Sequence, residues 1–359
     1  MYRHYTLIVL ALLLTGIGKA QIVINEFSAA NKSSYAAANG NYYDWVELYN
    51  NSGAAVNISG WYLSDNPDTL TKWQIPAGIT LANNSYRVFF CSGRNGLVSG
   101  QYHTNFKLTQ SDTSEHIILT NPSLSIIDSL TIFPCDSNDS RGRVTNGAAT
   151  WGIFTRPTPN ASNNTQTAYP SYVPKVTFSL PAGFYTGTQS VALSCSQPNT
   201  TIRYTTNGST PTAASTAYAS PISVSSTTVI RAKAFDNTNA TVPSFIETNT
   251  YFINENHTLP VVSVSATSLT NELTNGSLNL RFGNLEFFSS GNQQVFEIGG
   301  EFSPHGNDSW AYSQKGFDFD VEDQYGTGDL INKKMFYTSP RKKFKWLIFK
   351  AAGSDNFPD

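Results

Sequence analysis

DWVELYNNSGAAVNISGWYLSD, Asp44 to Asp65, is the run whose reading decides the fold. Trp45, Glu47 and Tyr49 alternate with Val46 and Leu48, the period of two that gives a strand one face of each kind. Asn51-Ser52-Gly53 interrupts the run with residues that turn a backbone cheaply, and Ile58-Ser59-Gly60-Trp61-Tyr62-Leu63 starts a second strand. Strand, turn and strand in so short a space leave no room for a helix. The same pattern extends outward. Ile22 to Phe27 precedes it, and Arg87 to Cys91, His116 to Thr120 and Ile126 to Leu130 follow. Short strands at this spacing predict a β-sandwich.

Further segments stand in a recognisable order: Val23-Ile24-Asn25-Glu26-Phe27, Trp73-Gln74-Ile75-Pro76, Asn105-Phe106-Lys107-Leu108, Asp139-Ser140-Arg141-Gly142-Arg143, and Trp151 followed by Thr158-Pro159-Asn160-Ala161. With the opening run they resemble a lamin-tail domain, an immunoglobulin-like β-sandwich, over residues 21–168. The resemblance implies a fold and leaves the function open, because one fold carries many sites. Asn25, Glu26, Asp44 and Glu47 offer oxygen ligands for Ca²⁺; alternatively Glu26 and Glu47 are strand residues that satisfy backbone donors, and this second reading is preferred. Asp136-Ser137-Asn138-Asp139 lacks the glycine and closing glutamate of an EF-hand loop and reads as a polar turn. Trp45, Trp61 and Trp73 read as core or edge aromatics in preference to a sugar platform.

Ala161-Ser162-Asn163-Asn164-Thr165, with Pro170 and Pro174, has the composition of a linker. Beyond it, strands are expected at Lys175 to Leu180, Ser190 to Ser194, Thr201 to Thr205, Thr228 to Phe235 and Glu247 to Ile253, with a tight turn at Asn207-Gly208. The run Ile202 to Thr212 (IRYTTNGSTPT), then Tyr218, Pro221-Ile222 and Ile230-Arg231-Ala232-Lys233-Ala234, resembles the C-terminal β-sandwich of chitobiase and β-hexosaminidase. This places a second, smaller sandwich at 169–255. The resemblance implies an accessory module without catalysis, read here as a rigid spacer, with glycan contact the alternative. Tyr204 and Tyr218 read as packed residues.

A third unit is expected over 256–359, opening on Leu259 to Ser265. Phe296-Glu297-Ile298 leads to the polar turn His305-Gly306-Asn307-Asp308-Ser309, and Lys315 enters the alternating run Phe317 to Val321, closed by Gln324-Tyr325-Gly326. These residues, with Phe344 to Asp355, resemble the start of the spore-coat-protein-H (CotH) kinase family. His305 stands where that family usually has Arg, and Gly316 where it has Ser. The resemblance implies a truncated α+β kinase-like N-terminal lobe in which Gly306, Ser309 and Lys315 would bind nucleotide phosphates. The catalytic and metal-binding acids would lie beyond Asp359. ATP and Mg²⁺ are therefore expected only for a complete domain of this type, and no cofactor or metal site is expected in this chain.

Two other features of this unit have plain readings. Glu297, Glu301, Asp318 and Asp320 could supply the carboxylate pair of a glycosidase, but Asp318 and Asp320 share one strand face and read as solvated. Lys333-Lys334 and Arg341-Lys342-Lys343-Phe344-Lys345-Trp346 form a basic and aromatic patch, read as a strand running Phe344 to Phe349 with lysines on its wet face.

The whole chain agrees with a mainly β architecture of two sandwiches and a lobe. Of its 359 residues 40% are hydrophobic and only 13% charged, which suits packed β-structure. A formal charge of −2 excludes a polyanion binder, so no nucleic acid is expected. Arg3 and His4, the apolar Leu7 to Leu14 and Gly18-Lys19-Ala20 read as a signal peptide over 1–20, cleaved near Ala20. That reading makes the protein secreted or cell-surface, with no transmembrane segment in the mature chain. Cys91 and Cys135 would either pair, leaving Cys195 odd, or stay with it as buried thiols. No hydrolase motif is present. The expectation is an exported modular protein that binds or displays, with cell-surface protein or glycan ligands. The alternatives are a fragment of a secreted ATP- and Mg-dependent CotH-family kinase and a carbohydrate-binding accessory protein.

Overall fold

The computed structural model describes residues 22–110, 115–269, 273, 281–306, 315–336 and 339–350. The protein is mainly β, with several sheets and almost no helix.

The Asp44–Asn50 strand sits inside a seven-stranded sheet, between Ile22–Ser28 and Tyr86–Cys91, both antiparallel to it. Its alternation does what the sequence demands. Val46 and Leu48 enter the main core, while Trp45 turns to the other face against Phe90, Val88 and Tyr35. Both valine and leucine are fully buried, which stabilises the fold by roughly 1.5–3 kcal/mol each. A four-stranded sheet supplies the opposite wall: Ile126–Thr131, His116–Thr120, Tyr62–Ser64 and Trp73–Gln74 in that order. Its Leu63, Trp73, Ile117 and Leu119 meet Ile22, Ile24, Phe27, Leu48 and Phe89 in one cluster, an arrangement consistent with a β-sandwich. The expected strand from Ile58 to Leu63 is instead split. Gly60 takes a φ of 78°, so Ile58 to Gly60 turns and the strand begins at Tyr62. Ile58 is buried as the floor of that turn.

The second unit pairs Gly183–Tyr185, Glu247–Ile253, Thr228–Asp236, Thr200–Thr205 and Thr216–Ala217 in a five-stranded sheet, with two short strand pairs beside it. Val176, Val191, Leu193 and Val224 pack there on Ile202, Ile230, Ala232 and Tyr251.

The third unit is a five-stranded antiparallel sheet: Val261–Ala266, Arg281–Phe288, Gln294–Pro304, Phe317–Val321 and Trp346–Phe349. One face carries Leu285, Ile298, Phe302, Phe319 and Leu347. Gly283 and Gly300 lie opposite each other in neighbouring strands, and a Cβ on either would fall 2.3 Å from a backbone oxygen, of Ser265 or of Asp320. The rings of Phe302 and Phe319 occupy the space that these glycines leave. An α+β lobe is not shown; the described part is mostly sheet, with helical residues at Leu269 and Leu273 and a helical turn at Asp323–Tyr325. The run Phe344 to Phe349 is also not one strand. It bends at Lys345, so Phe344 pairs with Ile331 in a separate two-stranded sheet, and Leu347 and Phe349 take the core side while Trp346 and Ile348 are exposed.

The opposite face of this third sheet is acidic. Register places Glu286 beside Glu297 and Glu301 beside Asp320, and the period of two adds Asp318. The second unit covers one end of that face: Thr250 N donates to Glu286 Oε1 at 3.1 Å, and the Phe252 and Phe288 rings meet edge to face at 5.2 Å. The first unit covers the middle, where Lys32 Nζ lies 3.0 Å from Glu322 and Gln110 N donates to Asp323 Oδ2 at 2.7 Å. The first and second units also touch each other. Tyr172 Oη donates to Asp139 Oδ2 at 2.6 Å, and Lys233 Nζ lies 3.4 Å from Asp136. The three units thus close a ring of mutual contacts.

Candidate functional site

Of the four oxygen donors offered for calcium, Asn25, Glu26 and Glu47 share one buried cluster and Asp44 lies apart from it. A bulge at Asn25 puts Glu26 opposite Glu47, and both are fully buried. Glu26 Oε1 accepts from Ser140 Oγ at 2.5 Å and Thr158 N at 2.9 Å, and its Oε2 from Thr158 Oγ1 at 2.5 Å. Glu47 accepts from Asn25 Nδ2 at 3.1 Å and Asn160 N at 2.6 Å. Every carboxyl oxygen has a protein donor. Desolvation raises the pKa of both groups, that of Glu47 to about 8, so neutral or shared-proton forms suit this interior better than a cation would. The cluster is a structural hub, and it reaches into the run read as a linker, because Asn163 is fully buried and donates to Arg143 O at 2.8 Å.

Asp136 to Asp139 is a polar turn with a clasping role. Asn138, at φ 69°, accepts from the backbone N–H groups of Lys32, Ser33 and Ser34 at 3.1, 2.6 and 3.1 Å. Trp45 and Trp73 are core residues, and Trp61, Tyr204 and Tyr218 pack half-buried on their cores. Cys91, Cys135 and Cys195 are free thiols, the first two buried.

Of the nucleotide-binding candidates, Ser309 lies outside the described residues. Gly306 takes a φ of 71° just past Pro304, and Lys315 precedes the Phe317–Val321 strand. His305 Nδ1 lies 2.8 Å from Asp318 Oδ1. Gly306 and Lys315 therefore flank the hairpin end of the sheet. Among the described residues, no group of three His, Cys, Asp or Glu side chains is placed to hold a metal ion.

The other end of the same two strands opens on a cleft that the sequence did not single out. It encloses about 420 Å³ between the first unit and the third sheet. Tyr42, Tyr43 and Asp44 enter it where the Asp44–Asn50 strand begins, held by Asn31, whose Nδ2 donates to Tyr35 O and Tyr43 O at 2.7 Å each. Asp320, Glu322, Asp323, Gln324 and Asp329 line the far wall. The Asp323–Tyr325 turn is set by Gly326, at φ 77°, whose N–H donates to Asp323 O at 3.1 Å. Lys32, Lys107 and Lys345 complete the lining.

Desolvation pushes the pKa of Asp44 up to about 8, and the charge of Asp323 adds to the effect. Asp323 is raised by the same cause despite the Gln110 donor. Lys32 is already engaged with Glu322 and lies 4.0 Å from Glu301. Gln324 is 1% exposed, its side chain hydrogen-bonded toward the Tyr325 phenol. Tyr42, 44% exposed, leaves a ring open at the rim. By sequence Asp44 was weighed as a calcium ligand and Asp320 as one of a glycosidase carboxylate pair, neither with the partners found here. Lys345 was grouped with the surface lysines; only the bend beside it turns it inward.

Comparison with known families now fits this frame. The Lamin Tail Domain family model matches residues 17–133, and the Chitobiase/beta-hexosaminidase C-terminal domain model matches residues 180–246. These define the class as a modular chain built from two β-sandwich-type domains and a further sheet. No curated protein matches the chain. No described helix is long and apolar enough to cross a membrane.

Proposed function

We propose that this chain is an exported modular surface protein that binds or displays, and that it does not catalyse by itself. The observation that carries the reading is the shared seam: both sandwich-type units dock on one face of the third sheet, and a polar cleft lies between the first of them and that sheet. That is how a mount presents a ligand surface. The two family matches support a modular chain, and the resemblance of the second unit implies an accessory module. The charged start, apolar core and small-residue end of residues 1–20 support export. In this reading the third sheet is the first part of a CotH-type domain.

A second reading, a secreted ATP- and Mg-dependent kinase of that type, is favoured by the antiparallel five-stranded sheet with Gly306 and Lys315 flanking one hairpin. Backbone donors at Gly306 and the Lys315 ammonium would face phosphate. The described acids do not fit a metal, so no chemical step is assigned to them. Incubation of the full chain with labelled ATP and Mg²⁺ separates the two. Binding or display predicts no transferred label, together with release of peptides from the protein when intact cells are treated with protease. Phosphoryl transfer to any protein, or complete protection on intact cells, overturns it.

A further inference from the structure

The run Phe344 to Phe349 does not present lysines alone to water. Trp346 is 58% and Ile348 49% exposed, and Phe336 stands open at 51%. Trp346–Phe349 is also the last strand of its sheet: Phe317–Val321 pairs with one edge, and no described strand pairs with the other. Val321 N donates to Lys345 O at 2.8 Å, so these two residues form a hydrogen-bonded pair. Such pairs alternate along an antiparallel ladder. Leu347 and Phe349 therefore bond inward, while Trp346 and Ile348 turn their N–H and C=O to the open edge. An apolar edge with open backbone groups is a template for a further strand.

Beside that edge lies a second cavity of about 470 Å³, lined by Val262, Phe287, Phe344, Leu347 and Phe349 and walled by Met335 and Phe336. Among the described residues only Arg341 brings a charge to its lining. The surrounding sequence is cationic: Lys333-Lys334, Arg341-Lys342-Lys343, Lys345 and Lys350, with no Asp or Glu from 331 to 350. Lys342, Lys343 and Lys350 are exposed. These charges oppose a second copy of the strand, because pairing two such edges brings their flanking lysines together. They favour an acidic partner. The strand already seated on the inner edge shows the pattern that fits. In Phe317–Val321 the phenylalanines oppose Phe349 and Leu347, and the aspartates oppose Ile348 and Trp346.

We propose that the outer edge of Trp346–Phe349 captures an extended partner segment that alternates acidic and apolar residues. The segment adds as a further strand, its apolar side chains in the cavity and its acids among the flanking lysines. The proposal rests on the binding reading above and names the surface and the partner's chemistry. A bilayer is the poorer occupant, because it offers nothing to the outward N–H and C=O of Ile348.

Fluorescence anisotropy on the full chain tests it with a labelled peptide, Phe-Asp-Phe-Asp-Val-Glu, and its basic counterpart, Phe-Lys-Phe-Lys-Val-Lys. Co-sedimentation with phosphatidylglycerol vesicles tests the bilayer. The acidic peptide should bind, and the basic one and the vesicles should not. Ile348→Pro removes the outward N–H, leaves the inner ladder bonds in place, and should weaken binding about tenfold or more. Lys342→Glu combined with Lys343→Glu should weaken it as well, at exposed positions that the fold does not depend on. Equal binding of the basic peptide, no binding of either, binding that survives either variant, capture by the vesicles, or self-association of the chain that Ile348→Pro abolishes overturns the proposal. These readouts use neither ATP nor intact cells, so the surface and the broader reading fail separately.

Discussion

Replacing Glu286 by Gln probes the seam between the second unit and the third sheet. Glu286 is fully buried; it accepts from Thr250 N at 3.1 Å and Gln294 Nε2 at 2.9 Å on Oε1, and from Thr250 Oγ1 on Oε2. Desolvation, with the charge of Glu297 adding to it, pushes its pKa from an ordinary 4.5 up to about 8. The fold therefore holds a proton that the unfolded chain releases above pH 4.5. Stability is complete below that value and falls as pH rises toward 8, by about 1.4 kcal/mol per pH unit for one group. The ceiling is about 5 kcal/mol over the window. Glu297, raised to about 7 by the same cause, shares the titration, so about 2 kcal/mol is the expected share of Glu286 alone. Glutamine keeps the Oε1 contacts, and its Nε2 donates to Thr250 Oγ1, which can turn its own proton to Ser263 Oγ at 2.7 Å. Urea unfolding at intervals from pH 5 to 8.5 should show the two proteins alike at pH 5 and Glu286→Gln the more stable at pH 8. Parallel curves, or a variant weaker by the same amount at every pH, would refute the reasoning.

Three further outcomes are expected. Asn138→Ala removes the acceptor of three backbone N–H groups and should cost about 1–3 kcal/mol, with faster hydrogen exchange at Lys32, Ser33 and Ser34; unchanged exchange there would remove the clasp from the account. Gly300→Ala drives a Cβ into Asp320 O and the Phe319 ring and should lower thermal stability by at least about 1–3 kcal/mol, whereas a neutral change would mean that the sheet opens there without strain. A thiol reagent should label the half-exposed Cys195 in the native protein and reach the buried Cys91 and Cys135 only on unfolding, and a reductant should leave the melting temperature unchanged.

The strands were legible as short runs of β-branched, apolar and aromatic residues between turn residues, with strict alternation in Phe317–Val321. His116–Thr120, Glu247–Ile253 and Phe317–Val321 run over the residues that the pattern marks. The failures have local causes. A positive φ at Gly60 turned what alternation alone would extend, and Lys345 breaks a run whose apolar residues supply two different sheets. The cleft was not legible at all. Asp44 and Asp323 are far apart in sequence, and each sits in an ordinary strand end or turn. Only long-range docking gives them a shared environment, and no periodicity encodes that. The hub around Glu26 was half legible: hydrogen bonding was the better reading of the carboxylates, but Asn163, inside a run with linker composition, could not be joined to them.

The ring of contacts also sets an order in time. Gln110 and Asp323 are 213 residues apart in sequence, so the Gln110 side of the cleft is synthesised well before the residue it bonds. At about 5–20 residues per second of synthesis the interval is roughly 10–40 s. During it Asp44, Lys32 and the Gln110 amide face water with no far wall before them. The cleft thus forms only after both sandwich-type units have been made, and an agent that met the growing chain earlier would find one wall of it without the other.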